Sequence, residues 1–273
     1  MTEIDLAAQA RITRHIAETI GARTAQVSAA VALLDEGATV PFIARYRKGG
    51  LDDTQLRNLQ ELLIYGRELE ERRAAVIASV EEQGKMTEEL RQAFEAADTK
   101  QRLEDLYLPY KPKRKTRAQA AVAAGLEPLA DKLWKNPGLD PQAEAQAFVS
   151  ADKGVADTKA ALDGARDILA ERFAENADML EMLRAWLWKH AFIVSSVDEA
   201  KKATPEAANF RDYFDYSEAL NEVASHRALA LFRGRQEGVL TLKMLLTEEE
   251  EALPVHPCQK LIADFLGWHD EGR

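Results

Sequence analysis

Five cations crowd one short stretch of this chain: Lys111, Lys113, Arg114, Lys115 and Arg117. From Leu108 to Arg117 there is no acidic residue, and Pro109 and Pro112 are expected to hold the segment extended. Thr116 is a capping residue type, which predicts a helix that starts there and ends at Gly125. Lys113, Arg114 and Lys115 then lie just before the helix start, and Arg117 lies in its first turn. A helix N-terminus carries partial positive charge and disfavours each exposed cation by ~0.3–1 kcal/mol. A phosphate would relieve that conflict, because free N–H groups and cations would both face an anion. The competing reading has the nearby carboxylates Glu104 and Asp105 neutralising the cluster. Charge alone leaves both open.

A second basic run, Arg45-Tyr46-Arg47-Lys48, follows the same logic. It sits in what reads as a basic, aromatic, glycine-terminated connector from Pro41 to Gly50. An exposed Tyr46 could stack on a base, a contact worth ~1–3 kcal/mol. Alternatively Tyr46 packs inward, and Arg45 or Arg47 pairs with carboxylates. Candidate nucleic-acid contacts are therefore Lys111, Lys113, Arg114, Lys115, Arg117, Arg45, Arg47 and Lys48.

Residues for covalent or metal chemistry are harder to find. The glycine fingerprints of phosphate and dinucleotide loops are absent, and so is a G-x-S-x-G elbow. His256-Pro257-Cys258 supplies two ligands where a structural zinc needs four. His15, His190, His226 and His269 are scattered. Glu248 to Glu251 reads as a loop or a self-docking acidic patch. A nuclease would need convergent carboxylates to hold Mg²⁺, and none is legible. The expectation is a protein that is not an enzyme, with no catalytic residue, no cofactor, no metal and no small-molecule substrate.

Helices must position these groups. Ile12, Ile16 and Ile20 recur on one helical face, with Gly21 as terminator. Val27, Val31 and Leu34 mark a second helix, closed by Gly37. Ala17, Gly21 and Val27 have helix-turn-helix spacing. The segment Ala25 to Glu36 offers no Lys or Arg, however, so a plain αα-hairpin is the competing reading. Asp52 and Asp53 cap a long helix through Leu56, Leu59, Leu63, Leu69, Val76 and Val80, stopped by Gly84. Thr87 starts another, and a third runs from about Asp98 to Tyr107. Asp140-Pro141 opens a further helix, and Asp157 opens a long helical stretch that reaches Leu187. After His190 the pattern changes. Phe192 to Val194 and Val239 to Leu245 are rich in β-formers. Between them Ser225 to Phe232 reads as a capped helix ended by Gly234, like the opening of an α/β unit. The fold class is mainly α: a multi-helix N-terminal module with a helix-turn-helix-like element over residues 1–190, then a small mixed α/β segment over 191–273.

Composition agrees. The 273 residues are 46% hydrophobic, enough for a real core, and only 7% aromatic, which favours helix. The net charge of -10 restricts any nucleic-acid contact to local patches. A single cysteine, an acidic start and no apolar run long enough to span a bilayer point to a cytoplasmic protein with no membrane partner.

Several long blocks carry a family resemblance: Leu34 to Lys48, Leu103 to Arg114, Ala151 to Val155, Phe210 to Phe214 and Ser225 to Gly234. The chain resembles the Tex family of bacterial transcription accessory proteins over nearly its whole length. The resemblance implies an elongated, multi-domain nucleic-acid-binding factor, similar to a eukaryotic transcription elongation factor and histone chaperone. In such a protein a helical N-terminal region precedes an RNase H-like domain, helix-hairpin-helix motifs and an RNA-binding OB-fold. It implies that this chain is a fragment that stops before the RNase H-like domain, and it supplies no catalytic residue to carry over. One departure is that family members carry a few more residues where Lys48 here meets Gly49-Gly50-Leu51-Asp52. The leading expectation is a nucleic-acid-binding transcription accessory factor whose partner is single-stranded RNA or DNA. The alternative is a protein-interaction scaffold that docks RNA polymerase or other transcription or translation machinery, with nucleic acid held by the absent domains.

Overall fold

The computed structural model describes residues 6–46, 50–112 and 116–268. The chain divides into two compact units, Met1–Lys113 and Arg114–Arg273. The architecture is mainly helical, with one small sheet, as the sequence pattern predicts. Among the described residues no helix is long and apolar enough to cross a membrane.

The first unit is built along one long helix. Helices α1 (Leu6–Ile20), α2 (Thr24–Asp35) and α3 (Val40–Tyr46) precede α4 (Asp53–Glu82). Helices α5 (Glu88–Ala96) and α6 (Lys100–Tyr107) follow it. At 1.5 Å rise per residue, the 30 residues of α4 extend ~45 Å, long enough for two separate cores. Near its start, Leu56, Leu59 and Leu63 pack with Ile12 and Ile16 of α1, Val27 and Val31 of α2, and Ile43 of α3. Near its end, Leu69, Val76 and Val80 pack with Phe94, Leu103 and Tyr107. Short side chains close the helix starts. Asp52 Oδ1 accepts from the Gln55 amide at 2.7 Å, Thr87 Oγ1 from Leu90 at 3.2 Å, and Thr99 Oγ1 from Arg102 at 3.1 Å. Gly21 adopts φ +65, so α1 and α2 turn tightly, as a glycine there should allow.

Two local expectations change. Residues 41–46 of the expected connector are helical, because Pro41 falls in the first turn, where its missing N–H has no partner to lose. The stretch Leu108–Tyr110 is a 3-10 turn rather than extended chain, with extended backbone beginning at Lys111.

The second unit opens with α7 (Arg117–Ala123), α8 (Glu127–Lys135) and α9 (Pro141–Ala145), which pack around α10 (Thr158–Ala174). Asp140 and Asp157 cap α9 and α10 as expected. The expected single stretch to Leu187 is two helices. Asn176 breaks it, capping α11 (Ala177–His190) through a bond from the Met179 amide at 3.0 Å.

Strands β1 (Phe192–Val197), β2 (Asp215–Ala219) and β3 (Leu240–Leu245) form an antiparallel sheet in the order β2-β1-β3. Both edge strands run against β1, so they are parallel to each other, and α12 (Ser225–Gln236) connects them. Phe210 and Leu231 pack with Ile193 and Leu240 to form this core. Helices α13 (Glu248–Glu251) and α14 (Pro257–Leu266) complete the unit.

Gly234 does not end α12, which runs on to Gln236. It is a contact residue. A Cβ there would lie 2.6 Å from Leu240 Cδ1, 2.8 Å from Leu240 Cγ and 3.0 Å from Phe210 Cδ1. Gly234→Ala should gain up to ~1 kcal/mol of helix propensity. Overpacking of ~1–3 kcal/mol opposes it. Because the clash reaches Leu240 Cγ and not only a methyl tip, a net loss of stability is expected in urea unfolding. A gain would mean that the Leu240 and Phe210 side chains yield freely.

Candidate nucleic-acid interface

The cations of the 111–117 segment begin in the first unit and end in the second. Lys113, Arg114 and Lys115 lie outside the described residues, as do Arg47 and Lys48 of the second patch. Lys111 and Arg45 are described in the first unit and Arg117 in the second.

Lys111 Nζ lies 3.5 Å from Glu104 Oε2, so the expected neutralising partner is there. Glu104 is shared, however. Its Oε1 accepts from Arg72 Nε at 2.5 Å. The Arg72 hydrogen bond holds the Glu104 carboxyl below the usual carboxylate range, with Lys111 adding to the effect. One carboxylate therefore serves two cations, and a positive charge is left over. Asp105, the other expected neutraliser, is buried and accepts a hydrogen bond from Gln101 Nε2 at 3.1 Å.

Arg117 is the first residue of α7, with its side chain 87% exposed. Thr116 caps the helix as the sequence predicts. Its Oγ1 accepts from the Gln119 amide at 3.0 Å, and Gln119 Oε1 accepts from the Thr116 amide at 3.2 Å. This reciprocal cap removes part of the free N–H supply expected for an anion. With α7 only seven residues long, the charge balance of side chains matters more than the helix dipole. Arg117 Nε is 3.8 Å from Asp167 Oδ2, and Asp167 is itself shared with Arg166 at 3.6 Å. Arg166 also meets Asp163 at 3.1 Å, so here two carboxylates face two guanidinium groups, and Arg117 holds the longest of the contacts.

Arg45 is exposed in the last turn of α3 and has no ion pair among the described residues. Tyr46 does not pack into the core. It is 60% exposed and meets Phe42, 44% exposed, with ring centroids 4.8 Å apart at a tilt of 54°.

The remaining chemical candidates have structural roles. His256 Nδ1 accepts from the Cys258 amide at 3.2 Å and caps α14. Burial, and then the charge of Glu251, push the Cys258 thiol up, away from a reactive thiolate. Glu248 to Glu251 form a helical turn capped by Thr247. Glu251 Oε1 accepts from the Leu246 amide at 2.8 Å. Arg227 Nε donates to Glu218 Oε2 at 3.0 Å, and Tyr216 donates to the same carboxylate. Burial and Glu218 push the Tyr216 phenol up to about 12. Among the described residues there is no group of three or more His, Cys, Asp or Glu placed to hold a metal ion. A groove of about 540 Å³ runs along α1 and α2, lined in part by Thr13, Arg14, Ser28 and Asp35. None of the described candidate residues lines it. The exposed side of α2 carries Ala25, Ser28, Ala29, Ala32 and Asp35, so it offers no cation to a groove of DNA.

The family model for a Tex-like protein N-terminal domain matches residues 10–81, and the model for a Tex central region-like segment matches residues 136–273. The chain belongs to the Tex family. It is similar to Protein YhgF of Escherichia coli (strain K12), 59% identical over 258 residues, which are 93% of this chain and 33% of that protein. It is also similar to Transcriptional accessory protein Tex of Neisseria gonorrhoeae, 55% identical over 85% of this chain and 31% of that protein. S1 RNA-binding domain-containing protein 1 of Homo sapiens is 31% identical over 80% of this chain and 22% of that protein. The chain spans about a third of the length of the bacterial relatives it matches.

Proposed function

We propose that this chain is the nucleic-acid-contacting N-terminal part of a cytoplasmic transcription accessory factor, and that it binds rather than catalyses. The ligand is single-stranded RNA or DNA. Its phosphates meet the cations of the Lys111–Arg117 segment and, more weakly, those of Arg45 to Lys48. The carrying observation is a shared carboxylate. Lys111 divides Glu104 with Arg72, so the start of the segment keeps surplus positive charge in a chain of net charge -10, and Arg117 at the other end presents an 87% exposed side chain only 3.8 Å from Asp167. The names of two relatives, one a transcriptional accessory protein and one carrying an S1 RNA-binding domain, support the same direction.

The test is a fluorescence-anisotropy titration of the 273-residue chain with a single-stranded RNA and with duplex DNA, at 50 and 200 mM salt. The RNA is expected to bind, more weakly at the higher salt, because each phosphate contact releases condensed counterions. No binding at 50 mM salt would overturn the proposal.

A further inference from the structure

We propose that Tyr46, braced by Phe42 and flanked by Arg45, is a stacking platform for an unpaired base of single-stranded nucleic acid. The inference rests on the nucleic-acid reading above and adds a contact to the base itself.

Helix α3 sorts its apolar residues by type. The aliphatic residues Val40 and Ile43 are 6% and 1% exposed, in the core with Leu56 and Leu59. The aromatic residues Phe42 and Tyr46 are turned outward instead, one helical turn apart and in ring contact. Burying a phenylalanine or tyrosine ring normally gains free energy, so two rings this exposed side by side represent stabilisation forgone. What accompanies the rings is charge. Arg45 is exposed, with no ion pair among the described residues, and Arg47 and Lys48 follow in sequence. Flat π-faces in a sequence run of cations suit alternating bases and phosphates, because every base has a face to stack and every nucleotide a charge to neutralise. Duplex DNA hides its base faces, so the platform selects single strands.

The platform also has a firm base. Ile43 is anchored in the core, and the chain is fixed again at Gly50, whose carbonyl accepts from Gln26 Nε2 at 3.4 Å. Leu51 beyond it is buried. Ordering a base on a ring that is already placed loses less entropy than ordering both partners.

The experiment uses the 273-residue chain and two fluorescein-labelled probes of equal charge: a 12-nucleotide oligoadenylate and a 12-unit abasic ribose-phosphate strand. The oligoadenylate is expected to bind tighter. Tyr46→Ser should weaken that binding by about 5- to 150-fold, the span of one base–aromatic stack. The same variant should leave the abasic probe and the salt slope unchanged, since no phosphate contact is lost. Tyr46→Phe and Tyr46→Trp should retain binding, which a role for the hydroxyl would not allow. With Tyr46 exposed, the serine variant should keep the helical circular dichroism of the parent. Oligoadenylate affinity within twofold of the parent, or an equal loss on the abasic probe, overturns the platform while leaving the phosphate-binding reading standing. Failure of the parent chain to bind either probe overturns both.

Discussion

Replacing Arg73 by methionine is expected to cost about 3–5 kcal/mol of stability, as removal of one member of a buried ion pair does. Arg73 sits on α4 with its side chain only 6% exposed, in a chain whose charged residues are mostly at the surface. Its guanidinium has two tasks. It gathers the backbone carbonyls at the end of α5, donating to Phe94 O, to Glu95 O at 3.1 Å and to Ala97 O at 2.8 Å. It also donates to Glu70 at 3.3 Å, and Glu70 is 8% exposed. Burial works against a charge on Glu70, but Arg11 and Arg73 more than offset it and hold the carboxyl below its usual range. Methionine matches the volume, so the loss isolates the polar work: three carbonyls without a donor and a carboxylate left to Arg11 alone. Lysine should recover only part, because an ammonium cannot present a planar fork to several carbonyls at once. Arg11→Met, at a residue 42% exposed, should cost far less. Urea unfolding followed by helical circular dichroism ranks the three. An Arg73→Met loss no larger than that of Arg11→Met would show that the buried fork is not what fixes α5 on α4. Acid should reproduce part of the effect. Because the Glu70 carboxyl is lowered in the fold, its contribution is present above the ordinary carboxylate range and disappears as pH falls through the lowered value.

Arg73 also marks where the sequence stops being readable. It stands among Glu70, Glu71 and Arg72, and such a run reads as a solvated helix face. Only the arrival of α5 against α4 turns that one member inward. The helix starts were legible because their signal is local: Asp52, Thr87, Asp140 and Asp157 each cap an amide two or three residues on. Helix α3 was not, because proline in a first turn looks the same as proline in a loop. Strand β2 was missed for a related reason. As an edge strand with the sequence Asp-Tyr-Ser-Glu-Ala, it carries no apolar run, and its order comes from pairing with β1. Gly234 read as a terminator because a lone glycine gives no hint that Leu240 and Phe210 occupy the space of its missing side chain. At the candidate site the cations and the Thr116 cap were legible, and Glu104 was within view seven residues from Lys111. Asp167, on another helix, was not, and neither was the sharing of Glu104 between Arg72 and Lys111, which leaves a positive charge there.

Neutralising that remainder where it is densest should abolish most of the affinity. Lys113, Arg114 and Lys115 are consecutive in a stretch with no acidic residue from Leu108 to Arg117, next to Lys111, whose carboxylate is already divided with Arg72. If each meets one phosphate, each releases ~0.7 of a counterion from a single strand, about a tenfold gain in affinity at 50 mM salt. The triple variant Lys113→Gln, Arg114→Gln, Lys115→Gln should therefore bind single-stranded RNA on the order of 10²–10³-fold more weakly at that salt. The slope of log affinity against log salt should become shallower by ~2. The slope is the more discriminating readout. Misfolding would remove binding at every salt concentration, and loss of a stacked base would shift the line without tilting it. Glutamine keeps a polar, unbranched side chain, though a shorter one, and removes the charge. If the variant binds more weakly with the parent's slope, the segment orders some other contact and its cations do not touch phosphate. If the tilt falls by the amount that three contacts require, the residues from Lys113 to Lys115 each meet a phosphate.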